Sequence, residues 1–262
     1  MIASTRGCSN SSVSPGRTSN PSPNQRLAPL GVSKPTFESL AKLNGSAISC
    51  ELCPRLTRYR RAVARKKRRQ YLDWTYWGKP LLGFGDRRAR LLLLGLAPAA
   101  HGGNRTGRMF TGDGSAQFLM AALHRFEFAN QPTSNSVDDG LKLQDAYMTA
   151  IVRCPPPKNK PSLKEIQTCE RYWTEELRFL PKIQVVLALG RVAFDTYVKS
   201  LKSDGLETRT FKFYHGAFYE LPTPRPALAA SYHPSRQNTQ TGKLTPQMLD
   251  SVLAQVRSYF NS

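Results

Sequence analysis

"LLLLGLAPAAHGGNRTGRMFTGD", residues 91–113, begins as an unbroken aliphatic run and empties into a loop rich in Gly, Arg and Asn. Consecutive leucines without polar alternation predict a strand buried on both faces, as in a parallel sheet covered by helices. A loop so glycine-rich and basic reads as part of a binding or catalytic site. Its first turn nevertheless holds Pro98, Ala99 and Ala100, and no carboxylate follows until Asp113.

Three further apolar runs repeat the pattern: "YMTAIV" (147–152), "VVLALG" (185–190) and "ALAASY" (227–232). Helical periodicity lies between them. Phe118, Leu119, Ala122, Leu123 and Phe126 share one face; Ser162 with Glu165 forms a capping box that opens a helix to about Leu180. Thr245 and Pro246 open a last helix with the stripe Met248, Leu249, Val252, Leu253, Val256 and Phe260. Pro35 to Leu43, stopped by Gly45, predicts a short helix, residues 55–69 a basic one, and "FYHGAFYEL" (213–221) a small hairpin. Strands alternating with helices define an α/β fold, here a four-stranded, mainly parallel sheet covered on both sides. Each strand hands its carboxyl end to an unusual loop: 95–113, "RCPPPKNKP" (153–161), Gly190-Arg191, and "HPSRQNTQTG" (233–242). Ligands sit at that edge of open parallel sheets, so one composite site is expected.

The 262 residues suffice for one large domain with a tail, and 38 Lys and Arg against 18 Asp and Glu leave a net charge of +20. That excess points to a polyanion. Nucleic acid ranks ahead of a membrane because no segment is apolar enough to span one. Residues 1–35 are rich in Ser, Pro and Asn and contain no acid, which predicts a disordered tail; a transit peptide or an upstream start fits the same composition. The expected compartment is cytoplasmic and nucleoid-associated, in a bacterium or archaeon, with organellar targeting left open, and thiols reduced. "CELCPRLTRYRRAVARKKRR" (50–69) places a CxxC pair before a basic helix whose Arg65, Lys66 and Lys67 are candidate phosphate contacts.

Cys50, Cys53, Cys154 and Cys169 suggest a four-thiolate site assembled by the fold, with Cys8 left over in the tail. The wide separation of the second pair leaves zinc and iron-sulfur as equal alternatives on spacing alone. Four unrelated core cysteines are the remaining reading.

Together these segments make the chain resemble the uracil-DNA glycosylase superfamily, specifically its family 5 or B type, over roughly residues 36–262. The carriers are "GLAPAAHGGNRTGRMFTGD", "CELCPRL", "RCPPPKNKP" and "HPSRQNTQTG". The resemblance implies a compact three-layer α/β/α sandwich, a 4Fe-4S cluster on the four cysteines, and excision of deaminated bases from double-stranded or single-stranded DNA by a monomer. It also explains the opening anomaly. Related families carry a polar residue in the first turn and a uracil-reading Asn that corresponds here to Ala150, and the B type lacks both.

Glycosidic cleavage must stabilise a departing base anion, favour a cationic sugar and place a water, on a base flipped out of the duplex. Phe110 resembles the stacking aromatic of the superfamily, with a core role as the alternative. His233 is implied as a neutral donor to uracil O2, with a capping histidine as the alternative. Asp113 is read either as the displaced carboxylate or as a helix cap, and Asn159 either as the missing amide or as a turn residue. Gly95, Ala97, Ala99 and His101 would line the base site, its small residues allowing close backbone approach. Arg105 and Arg108 are read as phosphate or loop-ordering groups, and Arg236 as a candidate to fill the gap left by the flipped nucleotide. A roomier pocket predicts activity on hypoxanthine as well as uracil. Two rivals are a non-catalytic metal-cluster module that binds nucleic acid and a phosphotransferase. The second is weakened because "GGNRTGR" lacks a GK[ST] ending.

Overall fold

The computed structural model describes Met1 and residues 36–262, so the predicted tail and Cys8 lie outside the described residues. Its first helix, α1 (Leu40–Ile48), starts at Ser39, whose hydroxyl accepts from the Lys42 amide at 3.2 Å. Gly45 is interior to that helix rather than its stop. Helix α2 (Pro54–Lys66) begins with Pro in its first turn and ends where Lys67 turns to φ 53°, three residues short of the expected span and followed by a 3-10 turn at Arg69–Tyr71.

The chain then lays down β1 (Phe84–Gly85), β2 (Leu91–Gly95), a short α3 (Gly103–Thr106), α4 (Gly114–Arg125), β3 (Ala146–Ala150), α5 (Leu163–Arg178), β4 (Val185–Leu189) and α6 (Arg191–Ser203). It closes with β5 (Phe218–Tyr219), β6 (Ala227–Ser231), α7 (Arg236–Gln240) and α8 (Pro246–Phe260). The sheet order is β1-β3-β2-β4-β6-β5, with the four inner strands parallel and the two outer ones antiparallel. The four expected strands are thus the centre of a six-stranded sheet. Residues 213–221 form no hairpin of their own; Phe218 and Tyr219 instead pair with Ala229 and Leu228 of the final strand.

Every residue of the four inner strands is buried, and strand alternation divides them between two cores. Leu92, Leu94, Val186, Ala188, Leu228 and Ala230 meet α1, α5 and α6 on one face. Leu91, Leu93, Met148, Val185, Leu187 and Ala229 meet α4 and α8 on the other. This is the expected three-layer sandwich.

Two long-range polar contacts set the geometry near the cysteines. Arg55, two residues beyond Cys53, makes a bidentate pair with Glu165 at 2.8 and 2.6 Å, which clasps α2 to the start of α5. The predicted capping box of α5 is present, so Glu165 serves both ends of that contact. Arg153, 2% exposed, pairs with the fully buried Glu176 at 2.5 Å, and Tyr147 and Thr149 of β3 also donate to that carboxylate. The root of the 153–161 loop is therefore fixed to β3 and α5.

Candidate active site

Beyond the carboxyl ends of the parallel strands lies a cavity of about 750 Å³. It lies where the chain's loops converge, the usual place for a ligand in such a sheet. Ala97, Ala99, His101, Asp113, Asn159, His233 and Arg236 all line it. Gly95 and Phe110 lie just behind this lining. Phe110 holds φ 44° and lays its ring on Gly95, where an added Cβ would come within 3.1 Å of the ring. The same ring sits 6.3 Å from the His233 ring, tilted 31°, so the aromatic and the imidazole are neighbours, with His233 the one that lines the cavity. Ala150, in register with Gly95, contributes no polar group there.

Asp113 is a helix cap that also lines the cavity. It is the N-cap of α4, with Oδ1 accepting from the Ala116 amide at 2.9 Å. Its other oxygen lies over Gly102, where an ideal Cβ would be 2.1 Å from Oδ2; glycine is what leaves that oxygen room. Burial raises its pKa above the ordinary value, against the opposing pull of the Ala116 and Ser115 amides and the charge of Arg105. His233 is governed by burial alone, which pushes its pKa down to about 4, so the ring is neutral at physiological pH. Its backbone carbonyl accepts from Asn238 Nδ2 at 2.8 Å, anchoring the turn into α7. His101 is also held below its usual pKa, first by burial and then by Arg68 and Arg105, and its Nδ1 lies 3.0 Å from the Tyr76 hydroxyl.

Asn159 is a turn residue whose position brings it to the cavity wall. It follows Lys158 in a left-handed pair, φ 54° and 56°, as a turn residue does, and it lines the cavity.

Arg105 and Arg108 are placed otherwise than as phosphate contacts. Arg105 is 3% exposed, donates to the carbonyls of His101 and Gly112 at 2.9 and 2.8 Å, and packs into the corner made by the near-perpendicular Tyr71 and Trp74 rings, each 4.0 Å away. It binds the two ends of the loop together. Arg108 is 5% exposed and spends its guanidinium on Asp139, Thr111 and Ser134. Both order the loop; internal acceptors meet the desolvation cost of the Arg108 guanidinium, and for Arg105, whose Nη1 has no hydrogen-bond partner, two carbonyls and the aromatic faces offset it in part. Arg65 and Lys66 remain exposed on the last turn of α2, whereas Lys67 turns its ammonium to the Leu72 carbonyl at 2.9 Å. Sequence reasoning missed Tyr59, Gln70 and Tyr71, which line the cavity together with Arg68. For Tyr59 and Tyr71 the signal was present as aromatics interleaved with the basic run; Gln70 carried none.

Cys50, Cys53, Cys154 and Cys169 line one recess with Leu56, Pro80, Val152 and Tyr172. Burial raises the thiol of Cys154 to about 12 and that of Cys169 to about 11, and each of the two also feels other thiols of the quartet. The Arg153 amide donates to Cys169 Sγ at 3.4 Å. Among the described residues no three His, Cys, Asp or Glu side chains gather closely enough to hold a single metal ion.

The family model for the uracil DNA glycosylase superfamily matches residues 82–257, and the chain belongs to that superfamily. It is 50% identical to the type-5 uracil-DNA glycosylase of Thermus thermophilus over 210 residues, covering 80% of this chain and 93% of that protein. It is 46% identical to the type-5 uracil-DNA glycosylase of Pyrobaculum aerophilum, covering 79% and 87%. Identity to that of Mycobacterium bovis is 44%, covering 84% and 81%. Among the described residues no helix is long and apolar enough to cross a membrane.

Proposed function

We propose that this protein extrudes uracil from DNA and hydrolyses its N-glycosidic bond, leaving an abasic site for repair. The observation that carries the reading is the convergence of Asp113, Asn159 and His233 on one cavity, beside the stacked pair Gly95 and Phe110. A flipped base enters beside the small residues Ala97 and Ala99, and local opening of the wall brings its face to the Phe110 ring that lies behind it. Neutral His233 donates to the base oxygen on which negative charge gathers as the C1′–N1 bond breaks, without giving up its proton. Asn159 supplies the amide that Ala150 does not. The free oxygen of Asp113 opposes positive charge on the sugar and holds the water whose oxygen bonds to C1′; the water's proton leaves to solvent or to the departed base. With no first-turn carboxylate and no strict amide reader on β3, the cavity also accepts hypoxanthine. Arg65, Lys66 and Arg236 contact the DNA backbone or fill the vacated stack, and the protein acts as a cytoplasmic, nucleoid-associated monomer.

The four cysteines fit a 4Fe-4S cluster. Four thiols share one largely apolar recess with no carboxylate in its lining, the all-thiolate donor set that such a cluster takes. Bound there, the cluster would cross-link α2, the 153–161 loop and α5, and no step of the hydrolysis passes through it. A brown preparation that loses its colour in Cys50→Ser supports this assignment; a colourless one containing zinc refutes it.

The direct test is single-turnover cleavage of oligonucleotides carrying one uracil or one hypoxanthine, read as alkali-labile abasic sites. Excision of both is expected. Absence of uracil excision by the metal-replete protein overturns the reading, and excision of uracil alone overturns its extension to hypoxanthine.

A further inference from the structure

Behind the base cavity, across Tyr76, lies a second cavity of about 550 Å³ lined by Arg60, Arg61, Arg65, Tyr76, Trp77 and Lys79. Helix α2 divides the two: Tyr59 faces the base cavity, while Arg60, Arg61 and Arg65 face the second. Tyr76 is the partition itself, lining the second cavity with its hydroxyl 3.0 Å from Nδ1 of His101 in the first. The acid in this wall, Glu51, is taken up by Arg61, so the remaining field is positive. Arg60 is 3% exposed and is spent inside the protein, donating to the carbonyls of Gly78 and Cys50 and lying beside the Cys154 thiol.

Trp77 gives the groove an aromatic face. It is 36% exposed, and its Nε1 donates to the Pro80 carbonyl at 3.1 Å. Its ring rests against Gly107, where φ is 86° and an added Cβ would approach to 3.3 Å. Lys79 Nζ stands 5.4 Å from the ring centroid. A fixed indole flanked by cations is the combination that holds a nucleobase by its face and its phosphates by charge, without regard to sequence.

We infer that this groove is a strand subsite, in which unpaired DNA flanking the flipped nucleotide stacks a base on Trp77 and places phosphates on Arg65 and Lys79. The inference rests on the glycosylase reading above, since the shared Tyr76 partition makes the groove the neighbour of a nucleotide already in the base cavity.

The test uses the metal-replete protein and single-stranded oligonucleotides with one uracil, lengthened one nucleotide at a time on either side. Half-saturating protein concentration and plateau excision rate are measured in single turnover, and binding is followed by fluorescence anisotropy. The half-saturating concentration of the wild type is expected to fall as the strand is extended on one side. Trp77→Leu and Lys79→Glu should each lose about fivefold or more of that gain while keeping the plateau rate. Lys79 is exposed, so its variant remains informative if loss of the indole impairs folding. Retention of the full extension gain in Lys79→Glu overturns the subsite. So does quenching of tryptophan fluorescence by free dAMP that requires Trp77 while extension has no effect, because the groove then serves a free nucleotide. Failure of the wild type to excise uracil from any oligonucleotide sinks the glycosylase reading instead, and the anisotropy series still reports on the groove.

Discussion

Asp113 caps a helix with one oxygen and faces the cavity with the other, so three substitutions separate the two roles. Asparagine is as good an N-cap as aspartate, and its side-chain oxygen can accept from the Ala116 amide at the present 2.9 Å. Asp113→Asn should therefore melt within a few tenths of a kcal/mol of the wild type, whereas Asp113→Ala should lose about 1 kcal/mol, or roughly 2–4 °C in Tm for a domain of this size. Both lack the carboxylate and should excise uracil about 100-fold or more slowly at saturating protein. Gly102→Ala keeps the carboxylate but sets a methyl 2.1 Å from Oδ2. An ordinary contact requires more than 3 Å, so the carboxylate must retreat by about 1 Å, a misplacement that costs on the order of 100-fold in rate. Rates come from single-turnover excision of a uracil oligonucleotide, and stabilities from calorimetry of the same preparations. A wild-type rate in Asp113→Asn, with normal stability, would leave Asp113 as a cap and nothing more.

Three further outcomes follow from the same geometry. His233 has its pKa depressed from 6.5 to about 4 by burial, so its contribution to stability is present above pH 6.5 and is lost as pH falls through 4; urea unfolding should show His233→Gln less acid-sensitive than the wild type, and equal sensitivity would refute the buried neutral ring. Breaking the buried pair of Arg108 with Asp139 by Arg108→Ala leaves an uncompensated charge and should cost about 3–5 kcal/mol of stability, with no change in the salt dependence of DNA binding; a reduced salt slope would show that Arg108 reaches phosphate after all. The double variant Arg65→Gln, Lys66→Gln should instead lower the log–log salt slope on duplex DNA by about two, measured by anisotropy, and leave the melting temperature near wild type; an unchanged slope would remove α2 from the interface.

Much of this protein was legible before any coordinates. The aliphatic runs at 91–96, 147–152, 185–190 and 227–232 announced a parallel sheet because strands buried on both faces cannot alternate with polar residues. The capping box at Ser162 marked α5 for a similarly local reason, as did Pro at the start of α8. The loops at 95–113, 153–161 and 233–242 could be found because each begins where an apolar run stops, whereas the wall from Tyr59 to Tyr71 carries no such mark. The edge strands were less visible: Phe84–Gly85 and Phe218–Tyr219 are two residues long and exist only because β3 and β6 offer free edges to pair with.

Charge and identity of a side chain are written in the chain, but its surroundings are not. Arg105 and Arg108 lie in the same basic loop as any phosphate-binding arginine, and only the arrival of Tyr71, Trp74, Ser134 and Asp139 from distant segments buries them. The same holds for Asp113, whose sequence neighbours explain the cap while Gly102, brought across the loop, explains the oxygen left free. Sequence alone determined the layered architecture, the catalytic candidates and the basic character, all of which depend on residue type and local period. Tertiary structure decided which cations meet solvent, which thiols share a recess and which aromatics wall the cavity, because desolvation and long-range pairing depend on what the rest of the chain brings near.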